Sequence, residues 1–372
     1  MTEGYAAGSR ARRGCGTRVG LRGSETVRRI LVTGGSGFIG TNLVERLRRN
    51  GSDEVRNYDL SAPRCAAHLD LWTVGDVETA ETLLAVMREF EPTHLVHLAA
   101  RTDLRGDSML AYRANTDGVR VTLEASTAYG RLQRSLYASS RLVCDLGITP
   151  ISEYDYAPPN FYGRSKVVAE QLVRAHGGAG EWVIVRPTSI WGPWGAAPYR
   201  DFFLSLARGT YVHPAREAVR KHYGYVGNVA HQIDRLLVAP SDRVHGRTLY
   251  LADPEPVDVL TFATAIRRSM GLPPPRSVPV PLLRLIAAAG DVLQATGIAE
   301  PPLTSDRLGN LRTPMLFDLE EVDRIVGALP YDLQEGIDQT VAHLWHRDEL
   351  PDLEGARRTG RRIYEPPDAP FR

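Results

Sequence analysis

Cysteine is scarce in this chain. Cys15, Cys65 and Cys144 are spread over 372 residues, an odd number without the close pairs of a zinc site or a disulfide framework, which implies reduced thiols in a cytoplasmic protein. No metal site is expected either. His94 and His97 stand three apart on an apolar run, and strand residues at that spacing face opposite sides. An excess of charge is also lacking: 45 basic residues balance 44 acidic ones to a net +1, which leaves no electrostatic case for nucleic acid or an acidic membrane surface. Long unbroken apolar runs are absent. The segment 278–298 is interrupted by Pro279, Pro281, Arg284, Gly290 and Asp291, too broken to span a bilayer and better read as a buried or interfacial helix. Residues 1–27 are rich in Arg and Gly with no continuous apolar segment, so they predict a disordered leader and not a signal peptide. The stretch 348–372 mixes charges with Pro366, Pro367 and Pro370 and reads as a tail.

What is present begins with an apolar run, Arg29 to Thr33, that feeds the glycine-rich turn Gly34-Gly35-Ser36-Gly37-Phe38-Ile39-Gly40 and then a helical pattern to Arg49. In that context Gly34 permits the tight turn, Gly37 lets backbone amides approach a pyrophosphate, and Gly40 allows close packing of helix on strand. Asp59 ends the expected second strand, 19 residues after Gly40. That spacing suits a carboxylate on the adenosine ribose hydroxyls, where it would repel a 2′-phosphate and so favour NAD over NADP. Arg56 and Arg64 lie nearby.

A second constellation is Tyr162-Gly163-Arg164-Ser165-Lys166, with Ser140 standing 22 residues before the tyrosine. A tyrosine four residues before a lysine is by itself most often a solvated helix face. As a proton-transfer site it would need the phenol brought down from about 10 by about three units, roughly 4 kcal/mol. Lys166, on the same helix face, is expected to supply much of that, and Asn160 is placed to cap the helix and set Tyr162 in its first turn.

Strands near 28–33, 53–59, 70–74, 93–98, 134–139 and 182–187 alternate with helices. The helix expected over 77–90 puts Ala80, Leu83, Leu84, Met87 and Phe90 on one stripe. The fold class is α/β: a Rossmann-type doubly wound parallel sheet over 28–190, with a smaller, mixed C-terminal substrate-binding lobe over 191–347 that can return to the Rossmann core. Helices are expected near 228–238 and 257–270.

With these residues assembled, the chain resembles the extended short-chain dehydrogenase/reductases, in their NAD-dependent sugar-nucleotide epimerase/dehydratase branch. The resemblance runs from about Val27 to Trp345 and includes Gly75-Asp76-Val77, His97-Leu98-Ala99-Ala100, Asn115, Tyr137-Ala138-Ser139-Ser140 and Arg186-Pro187. It implies NAD contacts from Gly34, Gly37, Phe38, Ile39, Gly40, Asp59, Asp76, Val77, Leu98, Ala99, Ala100, Asn115, Tyr162, Lys166 and Pro187. It further implies that Tyr162 moves the hydroxyl proton, Ser140 orients that oxygen, and Lys166 lowers the tyrosine pKa and holds the nicotinamide ribose. Cys144 and Asp145 replace the family's Tyr-Gly.

The family's dehydratases carry an Asp-Glu pair after the hydroxyl residue, and its decarboxylating members a glutamate at the place of Leu142. Arg141-Leu142 stands there instead, so the resemblance favours a nucleoside-diphosphate-sugar 4-epimerase working through a transient 4-keto sugar. An NAD-dependent dehydrogenase or reductase of a bulky, sterol-like alcohol is the alternative, with 278–298 lining its pocket; a non-catalytic NAD-binding sensor comes third. Thr102 and Asp103 are expected near the sugar, and Lys221, Arg220 and Arg312 near the diphosphate. Trp191, Trp194, Tyr199 and Tyr211 are candidates to stack on a base or to pack a domain interface. A homodimer built on the helix at 108–128 and the Tyr162 helix is also implied.

Overall fold

The structure, a computed structural model, describes residues 27–148, 150–297, 301 and 303–363. All of the expected leader except Val27, and the last nine residues of the expected tail, lie outside these. Strands β1 (Arg29–Thr33), β2 (Glu54–Asp59), β3 (Trp72–Val74), β4 (His94–His97), β5 (Arg134–Ala138) and β6 (Glu181–Pro187) alternate with helices α1 (Phe38–Asn50), α2 (Ala80–Phe90), α3 (Arg113–Tyr129) and α4 (Phe161–His176). A seventh strand, Arg247–Leu251, pairs with β6, and the sheet order is that strand, then β6, β5, β4, β1, β2 and β3. Every pairing is parallel. This is the expected doubly wound α/β sheet, and its seventh strand comes from the part of the chain assigned to the C-terminal lobe.

Parallel strands sit between helical layers, so their sequences are apolar on both faces. Leu31 of β1 packs with Leu95 and Met87 toward α2, while Ile30 and Val32 pack with Leu43, Val44 and Leu47 of α1. All of these are fully buried, and cutting any one of the leucines to alanine would cost about 2–5 kcal/mol. The apolar stripe expected over 77–90 is carried by α2, which starts only at Ala80.

After β6 the chain builds short two-stranded pairs and the helices Tyr199–Arg208, Val226–Val238, Val259–Ser269 and Val280–Ala295. Trp191 is fully buried against Phe203, Tyr225 and Phe262, with ring centroids 5.9, 5.1 and 5.1 Å away. It therefore packs the interior and is not available to a base. Helix Val280–Ala295 buries Leu283, Ala287 and Gly290 and exposes Leu282, Leu285 and Val292. Among the described residues no helix is long and apolar enough to cross a membrane.

Where composition predicts a tail, Glu354–Ile363 forms a helix. Small residues explain its docking: Ala356 is fully buried, a Cβ on Gly355 would fall 2.2 Å from the Met270 carbonyl carbon, and one on Gly360 would fall 2.2 Å from the Trp345 ring. Thr359 also donates 2.7 Å to the Ser269 carbonyl.

Candidate active site

The sheet order places β1 between β4 and β2, so the chain turns in opposite directions on either side of β1 and leaves a crevice at the strands' carboxyl ends. Most of the candidate cofactor residues come from those ends, while Asn115 lies on α3 and Tyr162 and Lys166 on α4. Gly34 adopts a left-handed φ of +74°, and a Cβ there would fall 2.5 Å from the Ala99 backbone nitrogen, so only glycine lets the turn lie against the segment after β4. On Gly40 a Cβ would fall 2.2 Å from the Gly34 carbonyl oxygen. Helix α1 opens at Gly37 with no side-chain cap, which leaves the amides of Phe38 and Ile39 facing outward at a positive helix end suited to a pyrophosphate.

Asp59 ends β2 with one carboxylate oxygen 3.0 Å from the Ser36 amide and the other 2.9 Å from the Ser61 amide. It is thereby fixed at the turn, as a ribose-binding carboxylate must be. Asp76 follows β3, its side chain accepting from the Glu78 amide, and Val77 beside it is buried against Gly118. Leu98, Ala99 and Ala100 follow β4. Asn115 is fully buried, accepts from the Arg101 amide at 2.7 Å and donates to Ser165 Oγ at 2.9 Å. Pro187 closes β6. These residues fit a dinucleotide: an open amide cradle for the phosphates, a fixed carboxylate for the ribose and a small-residue floor.

Ser140, Tyr162 and Lys166 meet at the end of β5. Asn160 caps α4, its Oδ1 accepting 2.8 Å from the Gly163 amide, and this sets Tyr162 in the first turn. Ser140, Tyr162 and Lys166 are all buried. The two serines are separated by their partners. Ser139 Oγ donates 2.5 Å to the buried Glu170 carboxylate, whereas Ser140 Oγ accepts from the Leu142 amide at 3.1 Å and acts on the Tyr162 phenol, lowering it.

Burial, the largest influence, raises the Tyr162 phenol above its ordinary value; the Ser140 hydrogen bond and the Arg141 charge pull the other way, and Tyr112 adds a smaller rise. Lys166, expected to lower the tyrosine, is not among these groups. Its ammonium donates 2.8 Å to the Ala138 carbonyl, and burial brings it down to about 8 against the opposing charge of Glu170. The site also includes Tyr112, whose ring lies 6.0 Å from that of Tyr162; no sequence pattern marks it.

The candidate substrate residues scatter. Arg312 is engaged by Glu217 through two 2.6 Å bonds, Arg220 is exposed and donates to the Pro256 carbonyl, and Thr102 is exposed in the loop after β4. Lys221 stands closer to the site: its Nζ donates 2.6 Å to the Asn310 carbonyl, and burial, then Arg141, brings it down to about 8. Trp194 is 4.6 Å from the His343 ring and lies under Arg347, and Tyr211 sits edge-on to Phe202, so both pack within the protein. Tyr199 faces Arg141.

The model of the NAD dependent epimerase/dehydratase family matches residues 30–252. A 3 beta-hydroxysteroid dehydrogenase/Delta 5-->4-isomerase of Mycobacterium tuberculosis is 29% identical over 262 residues, 65% of this chain and 70% of that protein. The N-acetyl-alpha-D-glucosaminyl-diphospho-ditrans,octacis-undecaprenol 4-epimerase of Escherichia coli is 25% identical over 338 residues, 87% of this chain and 97% of that protein. The solved structure of Thermus thermophilus UDP-glucose 4-epimerase with NAD is similar in fold, with a TM-score of 0.64 at 23% identity over 85% of this chain and 99% of that one.

Proposed function

The chain belongs to the NAD-dependent epimerase/dehydratase family, and on that premise we propose that it is a nucleoside-diphosphate-sugar 4-epimerase. One observation carries the choice of reaction: the two residues that follow Ser140 are Arg141 and Leu142, neither of them a carboxylic acid. Elimination of hydroxide needs a second acid and base beside the tyrosine, and the described residues there offer a guanidinium and a phenol instead. Reversible oxidation needs no such pair.

NAD, when bound, supplies the hydride acceptor. Gly34 to Gly40 and Asp59 hold its phosphates and adenosine ribose, while Asp76, Val77, Leu98, Ala99, Ala100, Asn115 and Pro187 line the rest of its path. Ser140 holds the reacting hydroxyl by hydrogen bonding. Tyr162 accepts that proton and returns it to the oxygen after the 4-keto sugar has turned over. Lys166, anchored on the Ala138 carbonyl in the next helical turn, holds the nicotinamide ribose. The region after β6, with Lys221, Arg220 and Arg312, and Thr102 in the loop after β4 form the substrate-binding side. Assembly as a cytoplasmic homodimer through the neighbouring helices α3 and α4 belongs to the same reading.

A second reading, oxidation of a bulky sterol-like alcohol, has the similarity to the mycobacterial steroid dehydrogenase in its favour. Incubation of the purified protein with a panel of UDP-sugars and, in parallel, with NAD and sterol alcohols, with products resolved by chromatography and NADH followed by absorbance, separates the two. A 4-epimer without net NADH supports epimerisation. NADH accumulating on a sterol, with no 4-epimer from any sugar, refutes it.

A further inference from the structure

The residue after Ser140 has no partner of its own. Arg28, Arg134, Arg174, Arg186 and Arg312, all at least partly buried, are each paired with a carboxylate. Arg141 is also half-buried, yet its guanidinium makes no hydrogen bond or ion pair with any described residue. Arg141 lines an open cleft of about 260 Å³ that Tyr250, Met315 and Phe317 also line. The groups that act on it are the phenols of Tyr199, Tyr162 and Tyr250 and the carboxylate of Asp145.

Asp145 does not neutralise it. That carboxylate is exposed and accepts from the amide of Leu146 at 2.7 Å. Burial lowers the Arg141 pKa, the state of a cation that has lost water without gaining a full counter-charge. Lys221 adds a second cation, which the charge of Arg141 also depresses. A partly dehydrated guanidinium costs free energy until an anion meets it, and its planar fork matches a carboxylate in two parallel hydrogen bonds. A neutral sugar or a sterol would leave that fork unpaired.

We propose that Arg141 is an acid-recognition residue, and that the substrate is a nucleotide-linked sugar carrying a carboxylate one or two carbons from the alcohol held by Ser140 and Tyr162. This rests on the nucleotide-sugar reading above and narrows it to acidic sugars of the uronic type. Arg141 adjoins Ser140 in the chain and acts on the Tyr162 phenol, so the anion it takes lies beside the reacting carbon.

Calorimetric titration of the NAD-loaded full chain with UDP-glucuronic acid and with UDP-glucose tests the proposal in the wild type, Arg141→Met and Arg141→Lys. The wild type should bind the acidic sugar at least about tenfold more tightly, the scale of one charge-assisted bidentate contact. That preference should collapse toward one in Arg141→Met and survive in part in Arg141→Lys. Equal binding of the two sugars by the wild type overturns the proposal without needing any variant. So does a loss of affinity shared by both sugars in Arg141→Met, because the diphosphate would then be the group recognised. Titration needs no turnover: an Arg141-dependent preference without a 4-epimer would reject epimerisation and keep the subsite, whereas binding of neither sugar removes both.

Discussion

Arg186 and Glu170 form a fully buried, two-pronged ion pair behind Ser139 and the candidate catalytic Ser140, with Nε to Oε1 and Nη2 to Oε2 both at 2.8 Å and each side chain 1% exposed. The Glu170 carboxylate also accepts from Ser139 Oγ at 2.5 Å and from the Tyr156 hydroxyl at 2.9 Å. The pair therefore ties β6, α4 and the end of β5 together one residue from Ser140. Removing one partner of such a pair strands a buried charge, whereas removing both costs much less. Arg186→Met is expected to cost about 3–5 kcal/mol in denaturant unfolding, and the double variant Arg186→Met/Glu170→Leu to recover part of that loss. A single-variant loss below about 1 kcal/mol would show that the charge is paired elsewhere.

The Ser140–Tyr162 contact makes a kinetic prediction. Burial raises the phenol and the Ser140 hydrogen bond lowers it, so Ser140→Ala removes a stabiliser of phenolate as well as an oxygen-orienting donor. Turnover is expected to fall about 10²–10³-fold, with the acidic limb of kcat/KM against pH, which the base's pKa sets, displaced to higher pH. Tyr162→Phe should abolish turnover while NAD stays bound, since it deletes one oxygen and little volume. A Ser140→Ala profile that falls in height without moving along the pH axis would confine the serine to orientation.

Much of this site is legible in the sequence because its parts are local. Gly34 to Gly40 form one turn, Tyr162 and Lys166 share one face of α4, and strands such as β1, β4 and β6 are short, largely apolar runs that announce themselves. What depends on distant packing is not legible. Arg247–Leu251 becomes the seventh strand only because β6 offers it an edge. Helix Glu354–Ile363 has the composition of a solvated tail and docks through two glycines and an alanine, residues that carry no apolar periodicity. Lys166 satisfies the spacing for tuning Tyr162, yet its ammonium turns to the Ala138 carbonyl, a choice made by the end of β5 and invisible in the motif. Arg141 reads in sequence as the absence of an acid, and only the cleft shows it to be a cation without a partner.

Buried histidines predict an acid-sensitive fold. Burial pulls His97 down to about 3, with Lys166 adding to the effect, and burial likewise takes His343 to about 3 and His94 to about 4. Folded pKa values lie below the ordinary 6.5, so the unfolded chain binds more protons between about pH 3 and 6.5, and stability rises with pH there. The contribution is complete above pH 6.5 and is lost as pH falls through about 4 and then 3. His97→Leu should reduce the slope of unfolding free energy between about pH 4 and 6 by about 1.4 kcal/mol per pH unit, one proton's worth. Parallel slopes for variant and wild type would mean that His97 is protonated in the folded protein.

Gly40 separates the cofactor cradle from general stability. It lies in the first turn of α1, where alanine is the better helix former by about 1 kcal/mol, so propensity alone predicts that Gly40→Ala stabilises. Sterics predict the reverse, because the new Cβ would fall 2.2 Å from the Gly34 carbonyl oxygen and 2.7 Å from the Gly35 Cα. Both are backbone atoms, so relief has to come from moving the turn, at a cost of about 1–3 kcal/mol that exceeds the helix gain. The same movement displaces the amides of Phe38 and Ile39 from the position that receives the phosphates. Gly40→Ala should therefore lower the melting temperature modestly and lose NAD on gel filtration. An alanine at Gly51, where φ is +67° and the nearest atom is 3.9 Å away, should lower the melting temperature through backbone strain and retain NAD. Equal NAD loss from both variants would trace the effect to stability and not to the cradle.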